Sequence, residues 1–352
     1  MEAFFIIAIL GLGFLITFQI AKASEYVSVI RGTEKSRKQT NKINAFLLLV
    51  FLIAGLIGVY YCNERLSGKT LGSPASDHGV LIDRMIHITL IITFIVFFIT
   101  QIALFWFSFK YQESDKRKAY YYPHNNKLEV IWTVIPAIAL TVLVGFGIMY
   151  WFRITGEAPK DANIVEVTGS QFKWEFRYPG KDGILGKKYF KQIDPAANNP
   201  LGQLWDDPAN YDDIYVSGEP MHLVVNKPVH LVIGAKDVIH DVGLAQFRMK
   251  MDAVPGTPTT MWFTPTKTTK QMREETGNPD FMYEISCDQM CGEGHWSMRG
   301  EIIVETQEEF DRWMVGKSPQ YYAAFPDKNP ENAKTDTAKV AVVTPAVVSG
   351  SN

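Results

Sequence analysis

Residues 281–305 read FMYEISCDQMCGEGHWSMRGEIIVE, and the interpretation of the whole chain starts from this stretch. Its flanks, residues 280–286 and 300–305, are short runs of aromatic and β-branched residues that predict two β-strands. Four soft or borderline donor side chains lie in the loop between them: Cys287, Cys291, His295 and Met298. Such donors suit copper, and Gly292 and Gly294 allow the backbone to fold tightly enough for them to converge. The stretch therefore predicts a metal-binding loop at one end of a rigid β-domain.

Four long apolar runs precede this domain and indicate a membrane protein. They cover residues 3–21, 43–62, 86–109 and 129–152. Each run is close to the ~20 residues that a helix needs to cross a bilayer. The first run lacks the positively charged start of a secretory signal peptide, so we expect it to remain as a membrane helix. The formal net charge of the 352-residue chain is only −2, which gives no general attraction to nucleic acid.

Charges in the loops predict the orientation of these helices. Lysine and arginine are concentrated in residues 22–42 and 110–128, whereas residues 63–85 carry balanced charge. The positive-inside rule places the two basic loops in the cytoplasm. The N-terminus and everything after residue 152 then lie on the outer face, which in a bacterial inner membrane is the periplasmic side.

The chain after residue 155 shows the alternating pattern of β-structure. Six strand-like segments without an intervening helical period predict a β-sandwich or Greek-key barrel. They are residues 164–169, 222–226, 230–234, 260–264, 280–286 and 300–305. Residues 180–215 form a polar insertion whose acidic pairs, Asp206–Asp207 and Asp212–Asp213, are typical of solvated surface or of a surface that steers a basic partner. Residues 317–352 have no period and predict a flexible C-terminal tail, in which we expect residues 327–352 to be disordered.

The residues alone leave three kinds of metal site open. His240 follows a predicted strand and can supply a further ligand. Structural zinc would use both cysteines, His295 and His240, but it leaves Met298 without a role. Blue copper uses two histidines, one cysteine and a methionine, which leaves one thiolate over. A dinuclear copper site uses the whole donor set, with two bridging thiolates and one histidine on each ion, and we favour it.

Together these residues resemble cytochrome c oxidase subunit II, and the loop resembles the CuA signature of that family. Asp237–His240 and Lys250–Gly256 are similar to the family's upstream motif, and Gly169–Tyr178 is similar to its aromatic strand. In the membrane, Glu129–Pro136 resembles the start of the family's second helix. The resemblance covers residues 86–316.

The resemblance implies a cupredoxin-like Greek-key sandwich that holds two copper ions. The implied copper ligands are His240, Cys287, Cys291, His295, Met298 and the backbone carbonyl of Gln289. It also implies that Phe172 and Trp174 take up electrons beside the copper. Glu129 matches a family carboxylate at the mouth of a proton path into the catalytic subunit. Physics alone favours a simpler role for Glu129, that of a carboxylate stabilised by a helix N-terminus.

Three features depart from the family pattern. Gln289 stands where the family has a glutamate whose side chain helps to bind magnesium at the subunit interface. A neutral amide is a weaker ligand for a hard cation, which puts that magnesium in doubt. Phe172 stands where the family often has tryptophan. The two spans at 3–21 and 43–62 are additional to the family's two-helix hairpin.

The implied function is that of the electron-accepting subunit of a respiratory terminal oxidase. Cytochrome c, or a c-type haem domain of a partner, would deliver electrons, and haem in the catalytic subunit would receive them for reduction of oxygen to water with proton pumping. The implied partners are this catalytic subunit, the haem donor and membrane lipid. The alternatives are the CuA subunit of a nitric oxide reductase and a membrane-anchored copper-binding assembly factor.

We expect the chain to have four parts. Residues 1–85 contain the two additional spans, and residues 86–155 form the transmembrane hairpin. Residues 156–316 form the copper domain on the outer face, and residues 317–352 form the tail.

Overall fold

The computed structural model of the protein describes residues 2–67 and 71–330, with side chains described from residue 11 onward except at Ser24 and Ser28. The chain divides into two compact units. One comprises Met1–Thr70 and His87–Val142, and the other comprises Leu71–Ile86 and Leu143–Asn352.

Four long helices occupy the N-terminal part of the chain. They are α1 (Glu2–Arg31), α2 (Thr33–Leu66), α3 (Asp77–Lys110) and α4 (Asn126–Ile154). Among the described residues, α2, α3 and α4 are long and apolar enough to cross a membrane, which confirms three of the predicted spans. The span predicted at residues 3–21 lies in α1 but begins among side chains outside the described part, so its membrane crossing stays a prediction.

The apolar surfaces of these helices are largely uncovered by protein. In the most apolar 18-residue stretch of each helix, protein buries only 6 % of the residues in α2, 6 % in α3 and none in α4. Exposed apolar surface of this extent is unfavourable in water, whereas lipid tails can cover it. The helices therefore anchor the chain in a membrane.

A β-sandwich of two five-stranded sheets forms the second part of the chain. Its strands are β1 (Asn163–Ser170), β2 (Lys173–Tyr178), β3 (Ile214–Ser217), β4 (Met221–Val224), β5 (Val229–Ala235), β6 (His240–Leu244), β7 (Met249–Ala253), β8 (Thr259–Phe263), β9 (Tyr283–Cys287) and β10 (Arg299–Glu305). The strand orders are β3-β2-β1-β5-β8 and β4-β10-β9-β6-β7. The pairs β1–β5 and β4–β10 are parallel, and the other pairs are antiparallel. This architecture confirms the predicted sandwich.

Alternation along the strands builds the core between the sheets. In β5, Val229, Leu231 and Ile233 are buried, whereas the residues between them are partly exposed. Tyr283 and Ile285 of β9 alternate in the same way and belong to the same core. The helices α5 (Thr269–Thr276) and α6 (Gln307–Val315) flank β9 and β10 in sequence, and each begins with a capping box.

Residues 71–86, which include the first turns of α3, belong to the unit that contains the sandwich. Arg248 explains this placement, because its guanidinium donates to Asp83 at 2.9 Å and to the carbonyl of Gly72 at 2.7 Å. Ser76 adds a buried hydrogen bond of 2.7 Å to the carbonyl of Phe247. These contacts attach residues 71–86 to the sandwich.

A buried ionic network ties the polar insertion to the sandwich. The Arg177 guanidinium donates to Glu166 at 2.6 Å, to Asp213 at 2.7 Å and to the side-chain carbonyl of Asn210 at 3.0 Å. Asp213 is fully buried, so the expectation of a solvated acidic pair is wrong for this residue. A buried arginine requires anionic and hydrogen-bonding partners. Strand β1 supplies Glu166, and the insertion supplies Asp213 and Asn210.

The chain remains ordered beyond residue 317, where we expected the flexible tail to begin. Helix α7 (Gln320–Ala324) places the ring of Tyr321 4.4 Å from that of Tyr211 and 5.8 Å from that of Trp205, measured between centroids. Tyr321 is only 7 % exposed, and burial of an aromatic ring offsets the entropy of ordering this segment. The predicted tail at residues 331–352 lies outside the described residues.

Candidate metal centre

Three strands bring the predicted ligands to one edge of the second sheet. β9 ends at Cys287 and β10 begins at Arg299, so the metal loop joins two neighbouring antiparallel strands. β6 lies on the other side of β9 and begins at His240, with Val242 paired to Cys287. The start of one antiparallel strand lies beside the end of its neighbour. His240 therefore meets the loop although 47 positions separate it from Cys287.

The two thiols and two histidines form a paired arrangement. The sulfur atoms of Cys287 and Cys291 are 3.7 Å apart. His240 Nδ1 lies 3.8 Å from the sulfur of Cys287, and His295 Nδ1 lies 3.7 Å from the sulfur of Cys291. The ligand atoms of His240, Cys287 and Cys291 all lie within 4.8 Å of one another. Each thiol thus has its own histidine, and the two sulfurs lie side by side.

Two further donors lie at opposite ends of this arrangement. Met298 Sδ is 3.8 Å from the sulfur of Cys291, and Met298 is only 1 % exposed. The thiol of Cys287 donates to the backbone carbonyl of Gln289 at 3.1 Å. A set of thiols, imidazoles and a thioether matches the preferences of copper, whereas a structural zinc site would leave Met298 unused.

Burial controls the protonation of the Cys291 thiol. Cys287 is 7 % exposed and Cys291 is 4 % exposed. Burial, together with the neighbouring Cys287 thiol, raises the pKa of Cys291 to about 11. Because the thiolate is the form that binds metals, a cation must displace this proton when it binds.

Asp237 and Gln171 support the ligands, and neither was among the predicted site residues. Asp237 Oδ1 lies 2.8 Å from His240 Nε2, which leaves Nδ1 directed at Cys287. A carboxylate on the second ring nitrogen fixes the tautomer and orientation of a ligating histidine. Asp237 also accepts the backbone N–H of Gln171 at 2.7 Å, and Gln171 Nε2 donates to the carbonyl of Cys291 at 2.7 Å. An acidic residue three positions before the histidine was the available sequence signal.

The aromatic strand reaches the metal loop from the first sheet. Trp174 is 4 % exposed, and its ring meets His240 edge-on with 6.1 Å between centroids. Gly169 permits this contact, because a Cβ there would lie 2.9 Å from the His240 ring and 3.1 Å from the Trp174 ring. Phe172 lies at the surface against Gly294, where a Cβ would collide with its ring. The structure therefore brings both predicted aromatic residues to the loop.

Glu129 lies in the first turn of α4 in a capping arrangement. Its Oε1 accepts the backbone N–H of Asn125 at 3.3 Å, while Asn125 Oδ1 accepts the backbone N–H of Leu128 at 3.1 Å. Such reciprocal bonds satisfy free donors at a helix start. This geometry is that of the helix-terminus carboxylate, and the role in proton uptake stays a prediction.

Two family models match this chain, one for each part of the architecture. Residues 72–149 match "Cytochrome C oxidase subunit II, transmembrane domain". Residues 164–307 match "Cytochrome C oxidase subunit II, periplasmic domain". Together they describe a membrane-anchored protein with a β-sandwich outside the membrane.

Two relatives that the chain covers over most of their length give the same result. The alternative cytochrome c oxidase subunit 2 of Bradyrhizobium diazoefficiens is 33 % identical over 267 residues, which cover 76 % of this chain and 91 % of the relative. The cytochrome c oxidase subunit 2 of Thermostichus vulcanus is 30 % identical over 265 residues, covering 69 % and 77 %. The periplasmic domain of subunit II of cytochrome oxidase from Bradyrhizobium japonicum is a similar solved structure, with 22 % identity, coverage of 45 % and 95 %, and a TM-score of 0.31.

The chain belongs to the cytochrome c oxidase subunit II family. It is therefore a component of an oxidoreductase complex of electron transport. Membership also implies copper binding, and the cluster of His240, Cys287 and Cys291 is the place in the fold that fits it.

Proposed function

We propose that this chain accepts single electrons from cytochrome c, or from a c-type haem domain of a partner, and passes them to haem in the catalytic subunit of a terminal oxidase. Two copper ions in a CuA centre, when bound, would supply the reversible one-electron chemistry. Reduction of oxygen to water, coupled to proton pumping, belongs to the catalytic subunit. The proposal places the sandwich and the N-terminus on the periplasmic side of a bacterial inner membrane, as the charges of the loops predict.

The paired arrangement of ligands is the observation that carries this proposal. Two adjacent thiols, each with its own histidine at 3.7–3.8 Å, provide two equivalent half-sites that share their sulfurs. Met298 and the carbonyl of Gln289 add one weak donor on each side. A site for one metal ion has no use for six donors in two halves.

Rigid support of the ligands suits electron transfer. His240 is fully buried and oriented by Asp237, and the two cysteines lie on or beside strand β9. Donors that cannot move keep nearly the same geometry in both oxidation states, which lowers the cost of reorganisation when an electron arrives or leaves. This is the advantage of building a site on strands of the scaffold.

The aromatic strand supplies the side on which electrons are taken up. Trp174 contacts the buried ligand His240, and it lines a surface cleft of about 540 Å³ together with Phe172. The two rings thus connect solvent to a metal ligand. We assign electron uptake to this side of the domain.

The proposal also assigns roles to Glu129, at the start of α4, and to Gln289, in the metal loop. Glu129, at the start of α4, would take up protons for the catalytic subunit in addition to its capping role. Gln289 offers the neighbouring subunit interface only a neutral amide, so magnesium has no carboxylate ligand at this position. The electron-transfer function depends on neither feature.

Metal analysis and electron paramagnetic resonance of the purified chain test the copper assignment. We expect two coppers per chain that share one unpaired electron. Cys291→Ser should abolish this signal without unfolding the sandwich, because serine leaves the packing nearly unchanged. Cys62→Ser is the matched control, since Cys62 is an exposed free cysteine of α2, and it should have no effect. One zinc without copper, or a mixed-valence signal that persists in Cys291→Ser, would overturn the proposal.

A further inference from the structure

Two large apolar side chains of the metal loop are directed into solvent. Trp296 is 81 % exposed and Met290 is 75 % exposed, although Cys287, Cys291 and Met298 of the same loop are buried. Neither residue is a member of the predicted ligand set. An exposed tryptophan contributes little to folding, and tryptophan is strongly enriched among residues that dominate protein–protein binding.

The backbone holds Trp296 in a fixed position beside a metal ligand. It is the middle residue of the short 3-10 turn His295–Ser297. The turn is closed by the N–H of Met298, which donates to the carbonyl of His295 at 3.2 Å, and by the N–H of Ser297, which donates to the carbonyl of Gly294 at 3.1 Å. Because its peptide neighbour is the ligand His295, a partner that covers this ring lies next to the metal centre.

Trp296 and Phe172 lie on the same surface. A cleft of about 360 Å³ is lined by Trp296, His295, Glu284 and Arg299, and the cleft of about 540 Å³ beside Phe172 is also lined by Glu284 and Arg299. Glu284 and Arg299 lie 3.9 Å apart, and the two clefts are also lined by Lys173, Glu219, Glu301 and Asp288. The surface is therefore continuous from the proposed electron-uptake side to the loop, and two exposed aromatic rings lie among these charged side chains.

We propose that Trp296 is the principal binding contact for the electron donor, and that it selects a c-type haem protein with an apolar rim around its exposed haem edge. Trp296 is twice as exposed as Phe172, 81 % against 39 %, and offers the larger ring. Trp296 therefore presents to the electron donor more apolar surface than Phe172 does. This inference rests on the proposed electron-accepting function and adds to it the residue and surface chemistry that recognise the donor.

Steady-state kinetics of the assembled oxidase with a c-type cytochrome test this inference. Trp296→Ala should raise KM for the cytochrome about 10- to 30-fold, in the range of a binding residue of this type, while kcat at saturating donor stays within about twofold. Trp296→Phe should recover most of the loss. The change in KM should persist at high ionic strength, because an apolar contact is not screened by salt. Phe190→Ala is the matched control, since Phe190 is a 69 % exposed aromatic residue of the insertion, and its KM should not change.

Three results would overturn the inference. An unchanged KM in Trp296→Ala would show that the donor does not use this ring. Loss of the haem-containing subunit from purified Trp296→Ala complexes would show that the ring packs against the catalytic subunit instead. Loss of the copper signal in both Trp296 variants would assign the residue a structural role. Failure of the proposed function itself is seen separately, because the wild-type chain would then lack the two-copper signal.

Discussion

Replacing Asp237 by alanine removes the carboxylate partner of His240 while leaving every proposed copper ligand in place. In the folded protein Oδ1 of Asp237 lies 2.8 Å from His240 Nε2, and His240 Nδ1 is directed at Cys287. Without the carboxylate, the imidazole can change its tautomer and rotate within its pocket. We expect Asp237→Ala to fold and to bind copper more weakly.

The structure sets the expected size of this effect. Loss of the partner of a ligating histidine typically weakens metal affinity by about 10- to 100-fold, or about 1.4–2.8 kcal/mol. Asp237 also accepts the backbone N–H groups of Gln171 and Val238. Its side chain is 32 % exposed, so water can replace the carboxylate at these donors. The free energy of unfolding should therefore fall by only about 1 kcal/mol.

The assay is copper retention by the purified oxidase complex during competition with a chelator. Asp194→Ala is the matched control, because Asp194 likewise accepts two backbone N–H groups, at 3.0 and 3.2 Å, but lies in the insertion. Copper should be lost earlier from Asp237→Ala than from wild type or the control. Equal retention in all three would refute the idea that Asp237 positions a ligand.

Other perturbations test the scaffold and the membrane part. Arg177→Ala should lower the free energy of unfolding by about 3 kcal/mol in chemical denaturation, because it leaves Glu166 and Asp213 buried without their arginine. The pKa of Glu175 is lowered although burial opposes its ionisation, because hydrogen bonds to its carboxylate outweigh that cost. Its ionised form therefore stabilises the fold at neutral pH, and unfolding followed by fluorescence should show this contribution disappear as the pH falls below the ordinary value of 4.5. Glu129→Ala should slow turnover of the assembled oxidase with the copper signal intact, as measured by oxygen consumption.

Each of these outcomes has a control. Arg299→Ala removes an arginine from an exposed ion pair and should change stability by less than about 1 kcal/mol. Glu175→Gln should flatten the acid side of the stability profile, and an unaltered profile would contradict the role given to Glu175. For Glu129, Asn125→Ala removes a capping partner and keeps the carboxylate, so equal slowing in both variants would leave only the helix-terminus role.

Local features of the sequence were sufficient to predict the membrane helices, the class of the outer domain and the donor set. Apolar runs of spanning length and alternating strand patterns are formed by residues that are close in sequence. Contact of their side chains with lipid, water or the core determines whether such a segment becomes a membrane helix or a half-buried strand. The spacing of the donors within residues 287–298 likewise depends on a single loop. The helices α2, α3 and α4 and the two five-stranded sheets agree with those predictions.

Only the tertiary structure decided which distant residues join the loop. Three histidines lie in the strands β4, β5 and β6, and the pairing of β6 with β9 brings His240 to Cys287. The same assembly buries Asp213 against Arg177, which composition assigned to the surface. It also leaves Trp296 exposed, which hydrophobicity would place inside. The burial of Asp213 and the contact of His240 with Cys287 depend on how the strands pair and the two sheets pack. The periodicity of the sequence does not determine that packing.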